Sequence, residues 1–403
     1  MTGPLVTGMG VVAPNGVGVE AYWSAVLAGV PAIGPVRRFD ASGYPSRLAA
    51  EVDPDAAAHL PSRLLPQTDH MTRLALVAAE AALADAAVAP GTYDPFDQGV
   101  VTASSAGGFD FGHRELEKLW RSGNEFVSAY QSFAWFYAVN TGQISIRHGL
   151  KGPSGVIVTD AAGGLDAIAQ ARRQLRRGSR LIVGGGVDGS LCSWGWVAKQ
   201  AGGRLSESDD PARAYLPFDA RAAGHVPGEG GAILVIEDAD AARGRGAPRV
   251  YGEIAGYGAS FDPAPESGLA STLHRAVTAA LTDAGMEPGD IDVVFADGAA
   301  VPELDWQEAT QIATVFGPRT VPVTVPKTMF GRLDAGSAAL DVATALLAIR
   351  DGVIPATVHV EPSADYPIDL VVGEPVRRRI RAALVIARGH GGFNSALIVR
   401  SAA

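Results

Sequence analysis

The segment Ser154-Gly-Val-Ile-Val-Thr-Asp-Ala161-Ala-Gly-Gly-Leu-Asp166-Ala-Ile-Ala-Gln-Ala-Arg172-Arg-Gln-Leu175-Arg-Arg-Gly178 contains a change of period. Its first residues are apolar and β-branched, as a buried strand should be. From Leu165 onward, Leu165, Ile168, Ala169, Arg172 and Leu175 recur at helical spacing until Gly178 stops the helix. Between strand and helix lies the turn Asp160-Ala161-Ala162-Gly163-Gly164. Small residues there let a substrate approach the positive end of the helix, where free N–H groups can hold a developing oxyanion. The layout suits a reactive cysteine or serine. The turn has neither, and the methyl group of Ala161 attacks nothing.

Two more stretches share this property. Asp292-Val-Val-Phe-Ala-Asp297-Gly298 is a strand running into an aspartate, and Lys327-Thr-Met-Phe-Gly331-Arg332 ends on an arginine. Val158-Thr-Asp-Ala161-Ala-Gly-Gly-Leu-Asp-Ala167 resembles the active-site turn of thiolase-fold β-ketoacyl synthases, with Ala161 in the cysteine position. Those synthases place one catalytic histidine in an Ala-His-Gly-Thr stretch, where this chain has Asp297. They place a second in a Lys-x-x-x-Gly-His pattern, where it has Arg332. All three catalytic positions are replaced while their frames survive.

That combination resembles the chain length factor, or ketosynthase β subunit, of bacterial type II aromatic polyketide synthases. Further resemblance lies in Val6–Gly16, Ser132–His148, Tyr215–Gly224, Pro227–Gly231 and Arg388–Ser395. The family usually has glutamine where this chain has Ala161, so a mechanism needing a side-chain amide there is unsupported. The resemblance implies an obligate heterodimer with a ketosynthase α subunit that supplies the cysteine and both histidines. Together they would extend a poly-β-ketone chain on an acyl carrier protein by decarboxylative Claisen condensation, in antibiotic-type biosynthesis. No cofactor or metal is implied.

Repeats point to the architecture. The helix Leu74–Ala86 followed by the strand Gln98–Ala103 matches the helix Leu273–Ala284 followed by Ile291–Ala296. Ala162–Gly178 likewise matches Ala335–Gly352. Recurring helix–strand units in one order imply two similar α/β halves. The turn-rich Arg243–Pro248 marks the join, giving halves 1–245 and 246–403. The glycine- and alanine-rich helices suit the middle of a five-layered αβαβα sandwich, which is the thiolase-like fold the resemblance implies.

Composition excludes other classes. With 403 residues and 47% hydrophobic content the chain can bury a large core. A net charge of −10 argues against broad nucleic-acid binding. No run of 18 apolar residues predicts a membrane span, and the single cysteine, Cys192, fits a reducing cytoplasm.

Other residues admit bland and functional readings. Asp297 and Arg332 can form a buried ion pair, and Lys327 can hold Glu303 or Glu308. Cys192 reads as an inert buried thiol. Phe109, Gly112, Leu116 and Leu119 share one helical face, which is either a core stripe or a channel wall. In the family this helix lines the polyketide tunnel, and bulk at Phe109, Gly112 and Leu116 limits product length. A glycine and a leucine there imply a comparatively long product, roughly ten to twelve two-carbon units rather than about eight. Arg172, Arg173, Arg176 and Arg177 form one basic surface and Arg377, Arg378, Arg379 and Arg381 another, either of which could meet the acidic carrier protein. The rival reading is a stand-alone acyltransferase or hydrolase using Ser104, Ser105 or Cys192, with His113, His148 or His390 as base. A scaffold with no tunnel is the third.

Overall fold

The computed structural model describes residues 3–402. Ten strands carry the fold. In the first half they are β1 (Leu5–Ala13), β2 (Gln98–Ala103), β3 (Ser154–Ile157), β4 (Leu181–Asp188) and β5 (Gly230–Glu237). In the second they are β6 (Gly252–Phe261), β7 (Val293–Phe295), β8 (Pro322–Thr324), β9 (Ala382–Arg388) and β10 (Phe393–Arg400). The first five lie in the order β3-β2-β4-β5-β1 and the second five in the order β8-β7-β9-β10-β6. Parallel and antiparallel pairings also fall at equivalent places. The two sheets join where Leu5 and Val6 pair with Glu253 and Gly252.

Helices complete five layers. α1 (His70–Asp85), with α3 (Val139–His148) packed beside it, covers β1, and α6 (Leu273–Ala284) covers β6. Each sits on a Gly-x-Gly pair whose members share one strand face. A Cβ on Gly8 or Gly10 would strike the carbonyl oxygens of Ala82 or Ala78, and one on Gly256 or Gly258 those of Ala280 or Ala276. The same close approach, built from the same residue types, therefore recurs in both halves. Between the sheets lie α4 (Gly163–Arg176) and α8 (Ala335–Asp351). α8 is buried from Ala335 to Ala348, as a helix apolar on all sides must be.

Two expectations need correction. β3 is a half-exposed edge strand, unlike its neighbours β2 and β4, which are buried along their whole length. Arg172 is no part of a solvated basic face, because it is buried, paired with Asp283, and donates to the Ala255 carbonyl. Among the described residues no helix is long and apolar enough to cross a membrane.

α4 and α8 can touch because Gly164 has no side chain. A Cβ there would lie 2.6 Å from the Ala339 nitrogen and 2.8 Å from the Ala335 oxygen. Gly164→Ala should therefore cost about 1–3 kcal/mol through overpacking, read as a lower urea midpoint at unchanged slope.

Candidate functional site

The turn after β3 is held from both sides. Asp160 adopts a positive φ of 53°, uncommon for a non-glycine residue, and its carboxylate accepts the His390 N–H at 2.7 Å. Gly389 lies so close to this turn that a Cβ would come within 2.6 Å of the Thr159 oxygen. Asp166, in the first turn of α4, accepts from the Thr159, Tyr257 and Ser395 hydroxyls. Ala161 is thereby fixed at the helix N-terminus, nearly buried, in the wall of a cavity of about 660 Å³. Phe109, Lys199, Arg204, His225 and Arg332 also line it. The pocket expected of an acyl-transfer site is present, and no side chain at the turn can form an acyl bond.

Asp297 and Arg332 meet as a fork-on-fork ion pair. Arg332 donates to the two carboxylate oxygens at 2.9 and 3.0 Å, and to the Asp297 carbonyl at 3.0 Å. The Arg388 N–H adds a bond to the carboxylate at 3.1 Å. Glu308, on α7 (Pro302–Phe316), accepts the N–H groups of Asp297 and Gly298 at 2.7 and 2.9 Å. Burial alone would raise the Asp297 pKa, but the charges of Arg332 and Lys327 hold it below the usual carboxylate range. Burial opposes the Arg332 charge too, and attraction to Asp297 overcomes it. Neither group can replace a catalytic histidine. A guanidinium does not release its proton at working pH, and the ionised carboxylate has none to give.

Lys327 is buried and pairs with Asp341 of α8 at 2.6 Å while donating to the Ala296 carbonyl at 2.7 Å. Glu303 and Glu308 are therefore not its partners: Glu303 is exposed, and Glu308 is occupied by the backbone after β7. The lysine joins α8 to the end of β7, a structural task that persists without the catalytic groups.

The rival nucleophiles lack a base. Burial pushes the Cys192 thiol up to about 11, and its sulfur accepts the Gly195 N–H at 3.4 Å. The Ser104 hydroxyl is buried and accepts the Gly107 N–H at 3.0 Å. Ser105 gives its N–H to Asp188, and its buried hydroxyl has no partner. Neither His113, His148 nor His390 is hydrogen-bonded to any of the three through its ring. His225 lines the same cavity wall as His390, and burial, Arg332 and Lys199 hold it well below its ordinary pKa. No motif in the sequence singled it out, because only the return of the chain beside Tyr215 brings it there.

The expected length-setting residues lie on α2 (Phe109–Ser122), a helix placed by the Asp188 carboxylate at the end of β4 through Ser105. Its buried face is Phe111, Gly112 and Glu115, so the stripe Phe109, Leu116 and Leu119 is half-exposed and is no core stripe. Phe109 stacks on Trp194, with ring centroids 4.5 Å apart. A Cβ on Gly112 would lie 3.4 Å from Trp135 and 3.8 Å from Trp194. The space left by this glycine admits a methyl group, with the Trp135 Cβ and the edge of the Trp194 indole beyond it. Phe109 shares the Ala161 cavity, whereas Gly112 and Leu116 lie outside its lining.

Removing one member of the Asp297–Arg332 pair should cost about 3–5 kcal/mol, because a buried charge is left alone. Asp297→Leu with Arg332→Leu together should cost clearly less than the sum, in a double-mutant cycle by chemical denaturation. The Asp297 contribution is complete above its unfolded pKa of about 3.9 and is lost as pH falls through its lower folded value. Arg332→Leu should therefore remove a portion of the acid-sensitive stability below about pH 4.

Comparison with known proteins agrees with this geometry. Residues 5–242 match the β-ketoacyl synthase N-terminal domain and residues 251–361 its C-terminal domain. The chain is 60% identical over 98% of both chains to the actinorhodin polyketide β-ketoacyl synthase 2 of Streptomyces coelicolor. It is also 60% identical, over 98% of both, to the tetracenomycin polyketide synthase ketoacyl synthase beta subunit of Streptomyces glaucescens. Among solved structures, the ishigamide ketosynthase/chain length factor superposes with a TM-score of 0.89 at 27% identity, covering 100% of each chain. The chain belongs to the β-ketoacyl synthase family and groups there with the polyketide ketosynthase β subunits.

Proposed function

We propose that this chain is the non-catalytic subunit of a cytoplasmic, heterodimeric polyketide β-ketoacyl synthase, and that it sets chain length. The observation that carries the proposal is the buried Asp297–Arg332 pair near the turn at Ala161, the three residues that the resemblance puts in the histidine and nucleophile positions. Such a site retains the frame of a condensing enzyme and lacks its chemistry. A ketosynthase α subunit supplies the nucleophile and the two histidines. An acyl carrier protein presents malonyl units, and the growing poly-β-ketone extends along a channel to which this chain contributes one side.

The surface supports a partner. β3 leaves a sheet edge half-exposed, and beside it Ile146 and Val158 are 78% and 46% exposed. Trp120, Phe133, Trp135, Phe136 and Trp194 add aromatic area to the outside of the isolated chain. An unpaired strand edge joined to that much apolar surface calls for cover. A partner strand on β3 would continue the sheet and close the aromatic surface. Phe109, Gly112 and Leu116 would then face the channel, with Trp135 and Trp194 as their neighbours.

Intact-mass measurement after incubation with acyl- or malonyl-carrier protein should detect no adduct on this subunit and one on its partner. A stoichiometric adduct here would overturn the proposal. Expressed alone the chain should aggregate, and a monodisperse monomer at micromolar concentration would count against an obligate heterodimer. Its interface should exceed the common range of about 1,200–2,000 Å².

Channel width makes a separate prediction. Gly112→Leu or Leu116→Phe adds bulk where the chain passes, so the same ketosynthase should release shorter products at similar total flux. Product masses from the reconstituted complex test this. Lower yield at unchanged length would assign the helix to ordinary packing.

A further inference from the structure

One exposed tryptophan stands apart from the aromatic surface assigned above to the partner subunit. Trp120 and Trp135, with Trp194 on α5 (Ser193–Ala201), belong to that surface, and Trp23 and Trp196 are buried. Trp306 is 51% exposed on α7. That helix packs on α6, outside the second sheet, whereas β3 belongs to the first. The neighbour of the Trp306 ring is the buried Tyr366, with ring centroids 6.3 Å apart at 49°.

Both rings line a groove of about 520 Å³, together with Pro302, Glu303, Asp219 and Asp365. Glu303 and Trp306 are three residues apart, so carboxylate and indole share one face of α7. Asp219 is already paired with Arg221, and among the described residues neither Glu303 nor Asp365 has a cationic partner. Burial, with the charges of Asp305, Asp219, Asp365 and Glu303, pushes the Tyr366 hydroxyl up to about 12. The potential in the groove is therefore negative.

Elsewhere the chain shows what completes such a set. Arg249 lies over the Tyr251 ring, 5.6 Å from its centroid, and pairs with Asp85. Arg173 lies 5.9 Å over the ring of Tyr257, whose hydroxyl donates to Asp166. In both places an aromatic ring and a carboxylate are accompanied by a guanidinium. Among the described residues no cation lies over Trp306. Its groove has the ring and the carboxylates without the arginine.

We propose that the Trp306 groove is a docking site for an arginine side chain presented by a partner protein. A guanidinium is planar, so it can lie on the indole face while its edge forks onto the carboxylate of Glu303 or Asp365. A lysine ammonium has no plane to stack in this way. The net charge of −10 draws a basic segment toward the chain at long range, and the groove then fixes where it sits. None of the groove residues lines the Ala161 cavity, so this site is independent of the chain-length role.

The test uses the complex with its ketosynthase, labelled with fluorotryptophan, and the fluorine resonance of Trp306 is assigned by its loss in Trp306→Phe. The probe is N-acetyl-arginine amide. The control is N-acetyl-citrulline amide, which has nearly the same shape and no charge. The arginine probe should shift the Trp306 resonance saturably at millimolar concentration and leave the Trp194 resonance in place, and the citrulline control should shift neither. Glu303→Gln combined with Asp365→Asn should weaken the arginine response about fivefold, and added salt should weaken it further. An unresponsive Trp306, an equal response to both amides, or an undiminished response in the double variant overturns the inference.

Discussion

The approach of α4 to α8 is the constraint on which the rest of the molecule depends. Two sheets can enclose one helical layer only if its helices pack at backbone distance, which requires small residues at their crossing. Gly164 against Ala335, Ala338 and Ala339 meets that requirement. Gly163 adds contacts with Ala103 and Ala335, so β2 is drawn into the same junction. The N-termini of α4 and α8 then lie near each other, bringing the turn at Ala161 and the loop at Arg332 to one cavity. The site is where it is because the helices are where they are.

Geometry of this kind also dictates what the cavity wall must contain. A buried polar space must be filled and its polar groups satisfied. Aspartate and arginine satisfy each other and the neighbouring backbone, and they bind the end of β7 to the loop before α8. Lys327 and Asp341 make a second such link from α8 to the same strand end. The charges are costly to desolvate, so the pairing gains more in fixed geometry than in net stability. A subunit whose task is to present a wall of defined shape benefits from rigid loops.

Much of this was legible in the sequence because the informative features are local. The repeated helix–strand units fixed the two-sheet expectation, and the helix Leu273–Ala284 has the bounds read from its pattern. Ala161, Asp297 and Arg332 stand out in the sequence because each sits in a frame that resembles the family's motif. Features set by tertiary contact were not legible. The partner of Lys327 is Asp341, a residue whose α8 surroundings appear apolar on every side in sequence. The basic run at Arg172 looked solvated, yet the first arginine turns inward to Asp283 from the other half. The stripe from Phe109 to Leu119 had the spacing of a core face, and only the positions of Trp135 and Trp194 reveal that it lies at a surface.

That surface is exposed in the isolated chain. The same chain that presents only a methyl group at the Ala161 turn leaves tryptophans and phenylalanines from 120 to 136 outside its own core. A monomeric enzyme would be under pressure to cover such area with its own chain, since exposed apolar patches invite aggregation. A subunit that always meets a partner is free of that pressure and can use the area twice, for assembly and for the wall of a shared cavity. The two tasks impose different demands on the same rings. Assembly rewards total apolar area, whereas a channel wall rewards shape at particular points, such as the indole over Gly112. Ring identity near Gly112 is therefore expected to matter more than ring identity at the exposed Trp120, although Trp120 presents the larger exposed fraction.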